Sequence, residues 1–148
     1  HLGGLVPALS LAARALCEPG DAVMTCTPVY PPFLGVHHDA KATLTAVDHV
    51  LEDGRWTFDF EAMEKSVTPR TKVFLLCNPQ NPLGRVFSRG EIERLANFCV
   101  RHGMVLVSDE IHCDLILDEA ARDGDPLLCE GESITNRGAL PAWVVLSP

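Results

Sequence analysis

No run in this chain reaches the roughly 18 consecutive apolar residues of a membrane span, and no charged-then-apolar leader opens it. Basic residues are few, 12 Lys and Arg against 20 Asp and Glu, for a net charge of -8. No basic stripe appears, which argues against a nucleic-acid or anionic-membrane surface. The cysteines (Cys17, Cys26, Cys77, Cys99, Cys113 and Cys129) form no CxxC pair and no His-Cys pattern, which argues against a metal site and for reduced thiols in the cytoplasm. Internal repeats and low-complexity tracts are absent, and Tyr30 is the only tyrosine. What is there is 47% hydrophobic content in 148 residues, enough for the core of one domain. The expected partner is a small molecule or another subunit.

Strand and helix patterns alternate along the chain. Pro7 to Cys17 carries Leu9, Ala12, Ala13 and Leu16 on one helical stripe, with Pro7 expected at the first helical position. Ala22 to Cys26 reads as a strand, followed by a short helix near Phe33 to His38 and a strand over Ala42 to Val47. Asp48 to Thr57 is polar and carries an Asp53-Gly54 turn signal, and Asp59 is placed to cap a helix over Phe60 to Val67. Lys72 to Cys77 is a strand. Ser88 and Glu91 are spaced as a capping box for a helix through Ile92, Leu95, Ala96 and Cys99 that closes near Gly103. Met104 to Ser108 and Ala142 to Ser147 are further strands, with a weakly patterned stretch from Asp118 to Leu140 between them. This order predicts an α/β fold, three layers with a mostly parallel sheet joined by right-handed crossovers.

Two strand ends carry the chemistry. In Asn78-Pro79-Gln80-Asn81-Pro82-Leu83-Gly84-Arg85, the prolines push Asn78 and Asn81 out of the helical region, and Gly84 permits a turn that other residues resist. Asn81 is thereby presented, while Asn78 fits an ordinary turn asparagine. Asp109 lies at the carboxyl end of an apolar strand, where ligands of open α/β sheets bind. A carboxylate there is driven toward its neutral form unless a cation faces it. The plain alternative is an aspartate capping a turn. His112 follows closely, but the spacing of Asp109, Glu110, His112 and Cys113 favours no metal. His37, His38, His49 and His102 read as surface residues.

These phrases, with Gly4-Leu5-Val6-Pro7-Ala8-Leu9, Thr27-Pro28-Val29-Tyr30-Pro31-Pro32-Phe33 and Val144-Val145-Leu146-Ser147-Pro148, resemble the aminotransferase class I/II family of fold type I, closest to its MalY/PatB-type cystathionine β-lyase branch. The resemblance spans nearly the whole chain. It implies pyridoxal 5'-phosphate as cofactor, an amino-acid substrate and a homodimeric, cytoplasmic parent enzyme. It further implies that Asp109 faces the pyridine nitrogen, Asn81 the ring hydroxyl and Tyr30 the ring plane. His112 would support the cofactor near that hydroxyl, Leu5 and Val6 would offer backbone amides to the phosphate, and Ser147 would add a phosphate contact.

The family's Schiff-base lysine follows a Ser-Pro pair and is expected beyond Pro148; Lys41, Lys65 and Lys72 lack its surroundings. Residues 1–148 are therefore expected to be the central part of a large domain, without its N-terminal segment, lysine region or small domain. By itself such a piece is expected to be catalytically inactive, with unpaired sheet edges that invite aggregation. Carbon-sulfur β-elimination, releasing thiol, pyruvate and ammonia, is the activity the resemblance favours. The alternatives are an aminotransferase and a cofactor-binding sensor domain of a transcriptional regulator. Asp109-Glu110-Ile111-His112 also matches a helicase-type acidic motif, but that chemistry needs a Gly-Lys phosphate loop, and no Gly-Lys pair precedes it.

Overall fold

The computed structural model of the chain describes residues 4–113 and 143–146. The elements in order are α1 (Leu5–Leu16), β1 (Ala22–Thr27), a 3-10 turn (Pro31–Leu34), α2 (Val36–Asp39), β2 (Thr43–Glu52), β3 (Arg55–Phe58), α3 (Phe60–Ser66), β4 (Thr71–Cys77), α4 (Arg89–Arg101), β5 (Val105–Asp109) and β6 (Trp143–Leu146). Six strands form one sheet in the order β3-β2-β1-β4-β5-β6. All neighbours are parallel except β2 and β3.

The apolar strands are covered on both faces, as their near-continuous hydrophobic sequences require. Side chains of successive residues alternate between faces. Val23, Val73, Leu75, Cys77 and Val107 pack with Leu9 and Ala13 of α1 and with Phe33 and Val36. Met24, Cys26, Phe74, Leu76 and Leu106 pack on the other face with Met63 and with Ile92, Leu95, Phe98 and Cys99 of α4. Phe33, Phe74, Phe87 and Phe98 are wholly buried, each contributing about 2–3 kcal/mol of burial.

Capping follows local chemistry. The Asp59 carboxylate accepts from the Ala62 N–H at 2.9 Å at the start of α3. Ser88 and Glu91 form the expected reciprocal capping box on α4, which closes through His102 and Gly103. Cys26, Cys77 and Cys99 are buried free thiols; burial pushes them up to about 12, 11 and 12 respectively. No helix among the described residues is long and apolar enough to cross a membrane.

Three expectations are corrected. The helix begins at Leu5, which puts Pro7 in its third position; the missing N–H is still harmless there, because first-turn donors have no helical partner. The strand expected over Ala42 to Val47 runs on to Glu52, and the polar stretch after it folds back as β3, with Leu51 opposite Trp56 and Glu52 opposite Arg55. Asp53 and Gly54 both have positive φ, 49° and 77°, as a two-residue hairpin turn requires. Finally, His49 and His102 are not simply surface residues. His49 is buried between Phe58 and Phe87, with Nδ1 3.1 Å from the Thr57 carbonyl, and burial lowers its pKa. His102 meets Glu64 at 2.8 Å. The stretch from Asp118 to Leu140 and Cys129 lie outside the described residues.

Candidate functional site

The carboxyl ends of β1, β4 and β5 are neighbours in the sheet, and each carries one of the expected residues. Tyr30 follows β1, Asn81 follows β4 and Asp109 ends β5. In the β4–β5 ladder Cys77 stands opposite Asp109. The Cys77 thiol is raised first by burial, then by the Asp109 charge, against a lowering contribution from the Asn81 backbone. Cys77 is thus within electrostatic reach of Asp109, its partner in the ladder.

Asp109 is only 5% exposed. Its Oδ1 accepts from the Ile111 N–H at 3.1 Å, a short turn of the kind aspartate favours. That bond uses one lone pair, and no salt bridge among the described residues includes Asp109. Burial therefore raises its pKa, with the Ile111 N–H and the nearby charge of His112 opposing in part. His112 is half-buried, three residues on. A cationic heteroaromatic nitrogen fits this carboxyl on chemical grounds, because it would restore the missing positive partner.

Asn78 and Asn81 divide as their surroundings dictate. Asn78 is buried, and its side-chain oxygen accepts from the Phe87 N–H at 3.1 Å, so it closes the loop on itself. Asn81 is half-buried. The loop contains cis peptide bonds at Asn78-Pro79 and Asn81-Pro82, with Gly84 at φ 64°. Its far end is held by Arg85, which pairs with Glu91 at 2.6 Å and donates to the Trp56 carbonyl. The Thr57 hydroxyl donates to the other Glu91 oxygen at 3.1 Å. Tyr30 leads into the 3-10 turn and is 40% exposed, which leaves ring surface free for a planar partner.

Helix α1 reaches the same end of the sheet. Its last turn runs through Glu18 to Asp21 into the start of β1, so its first turn lies toward the strands' carboxyl ends. It packs on β4, β5 and β6 on the face that carries Cys77, Val107 and Leu146. Gly4 precedes it with φ 130° and offers no side-chain cap. Because Pro7 has no N–H, the unpaired first-turn donors of the helix are those of Leu5 and Val6, at the positive end of the helix dipole. Ser147 lies outside the described residues.

Sequence reasoning missed two polar pairings. The Ser108 hydroxyl donates to Glu110 Oε1 at 3.1 Å, both residues being buried; burial pushes Glu110 up to about 7, the Ser108 bond opposing and Asp109 adding. Gln80 is buried within the Asn81 loop and bonds across to Pro28. Ser108 and Glu110 are two apart, as side chains on one strand face are, so their pairing was open to inspection. Gln80 offered no such signal.

The model of the family described as aminotransferase class I and II matches residues 1–133. Over 118 residues the chain is 44% identical to cystathionine beta-lyase PatB of Bacillus subtilis, covering 77% of this chain and 30% of that protein. The structure of cystalysin from Treponema denticola, which contains pyridoxal 5'-phosphate, aligns with TM-score 0.72 at 34% identity over 84% of this chain and 33% of the other. A pyridoxal-phosphate-bound putative aminotransferase from Clostridium difficile aligns with TM-score 0.73 at 36% identity, over 78% of this chain and 30% of that one. The chain spans about a third of the length of these relatives. Its sheet is a part of the fold type I architecture, and the chain belongs to the aminotransferase class I and II family.

Proposed function

We propose that residues 1–148 are part of the cofactor-binding large domain of a pyridoxal-phosphate enzyme acting on amino acids, and that the whole protein is a carbon-sulfur β-lyase. The observation that carries the cofactor reading is Asp109, a buried carboxyl at a strand's carboxyl end with no cation paired to it among the described residues. When bound, the cofactor supplies an electron-withdrawing ring that accepts the electron pair left as a bond to the substrate α-carbon breaks.

Each residue has a role in holding that ring. Asp109 keeps the proton on the ring nitrogen. Asn81 donates its side-chain amide to the ring oxygen, supported by His112, and Tyr30 stacks on the ring and fixes its tilt, a contact worth about 1 kcal/mol. The Leu5 and Val6 N–H groups receive the phosphate, joined by Ser147. The Schiff-base lysine comes from beyond Pro148, and the parent is a cytoplasmic homodimer.

The cradle stabilises the same charge in lyases and aminotransferases, so it does not choose between them. The lyase reading is supported by the 44% identity to cystathionine beta-lyase PatB. The aminotransferase reading is supported by the Clostridium difficile relative. The complete gene product is expected to be yellow with bound pyridoxal phosphate and to release pyruvate from cystathionine. Keto-acid exchange without pyruvate moves it to the aminotransferases, and absence of cofactor binding overturns the reading. For residues 1–148 alone, a borohydride-fixed adduct on Lys41, Lys65 or Lys72 would contradict the lysine assignment.

A further inference from the structure

Both polar atoms of the Gln80 side chain are engaged, and they point to different loops. Gln80 is 4% exposed. Its Nε2 donates to the Pro28 carbonyl at 2.7 Å, and its Oε1 accepts from the Leu83 N–H at 3.0 Å. Its backbone closes the loop as well: the Gln80 N–H donates to Arg85 at 2.8 Å, and the Gly84 N–H donates to the Gln80 carbonyl at 2.9 Å. The residue therefore organises its own loop and grips the loop after β1.

Proline explains why a side chain does this. Pro28, Pro31 and Pro32 on one side and Pro79 and Pro82 on the other remove backbone N–H donors from both loops. A backbone ladder cannot join segments so short of donors. A primary amide supplies donors and an acceptor on one planar group, and here its nitrogen and its oxygen each meet a backbone partner.

We propose that Gln80 is a positioning residue of the site: by clasping the Pro28 carbonyl, it fixes Asn81 relative to Tyr30 and so sets the grip on an aromatic ring. The inference rests on the roles of Tyr30 and Asn81 in the proposed function. Pro28 lies two residues before Tyr30 and Gln80 one before Asn81, so the clasp is adjacent to both groups without itself meeting the ring.

The test uses Gln80→Met, similar in length but without donor or acceptor, and Gln80→Glu, which keeps an acceptor for Leu83 but can donate to Pro28 only while protonated. In cofactor-free protein, Gln80→Met is expected to speed amide hydrogen exchange in residues 28–34 and at Leu83 by about tenfold, the scale of one lost buried hydrogen bond, with α4 still protected. In the complete gene product, pyridoxal-phosphate affinity should fall about tenfold, and the induced circular dichroism of the bound ring should shrink. The deficit of Gln80→Glu relative to wild type should narrow as pH falls, because protonation restores the missing donor.

Unchanged exchange in these segments overturns the clasp. Faster exchange with unchanged affinity and dichroism overturns its positioning role. A wild-type protein that binds no pyridoxal phosphate overturns the cofactor reading, and with it the role given to Gln80; the exchange measurement separates that result from a failure of the clasp itself.

Discussion

The Asn78 N–H donates to the Asp109 carbonyl at 3.0 Å, one bond beyond the last ladder pair of β4 and β5, Cys77 and Asp109. The side chain of the same asparagine receives the Phe87 N–H. One residue thus joins the buried acid's strand to the returning end of the Asn81 loop, so the two halves of the site share a frame.

Asp109→Asn preserves an oxygen for the Ile111 N–H and deletes the buried charge. Burial raises the native carboxyl pKa, so the native state holds its proton more tightly than the unfolded chain, and ionisation weakens folding as pH rises. At pH 7 the substituted chain should unfold at an equal or higher urea concentration, while the complete protein loses about tenfold or more in pyridoxal-phosphate affinity. A lower urea midpoint with unchanged affinity would reverse the assignment.

Glu110 supplies a second pH dependence. Its pKa rises from 4.5 to about 7 on folding, chiefly through burial. The cost of its ionisation is absent below 4.5, grows as pH rises and is complete above about 7, reaching up to about 3 kcal/mol. Urea titrations from pH 4.5 to 7.5 should show this decline in wild type and a flatter profile in Glu110→Gln.

Gly54→Ala should cost about 1 kcal/mol. Nothing lies within 4 Å of a Cβ built there, so the penalty is conformational, from φ 77°. Urea denaturation would measure it, and a neutral result would mean that the hairpin turn rearranges freely.

Ser88→Ala should cost about 1 kcal/mol through the lost cap. Glu91→Ala should cost about 2–3 kcal/mol, because it also leaves the half-buried Arg85 guanidinium without its partner and Thr57 without an acceptor. Since the Ser88 N–H and hydroxyl and Arg85 all meet Glu91 Oε2, the double variant should cost less than the sum of the singles.

What could be read from sequence was local. Asp59, the Ser88 and Glu91 pair, and the apolar runs ending at Cys77 and Asp109 act on residues within a turn or a strand of themselves, and each appears where expected. The β2–β3 hairpin was hidden because its outer half is exposed, as at Leu51 and Trp56, so no apolar alternation marked it beyond the Asp53-Gly54 signal. His49 and Gln80 were hidden for another reason. Their roles depend on partners from distant segments, Phe87 in one case and Pro28 in the other, and no spacing rule within one segment encodes such a meeting.

Helix α1 is the first described element, yet it rests on β5 and β6, the last two. During vectorial synthesis, at roughly 5–20 residues per second, the part of its floor that β5 and β6 supply is made last among the described elements. The helix therefore gains its full packing only after β5 and β6 have been made. A nascent chain halted before Val105 would hold that helix only against α2, the 3-10 turn and β4, with its seat on β5 and β6 still missing.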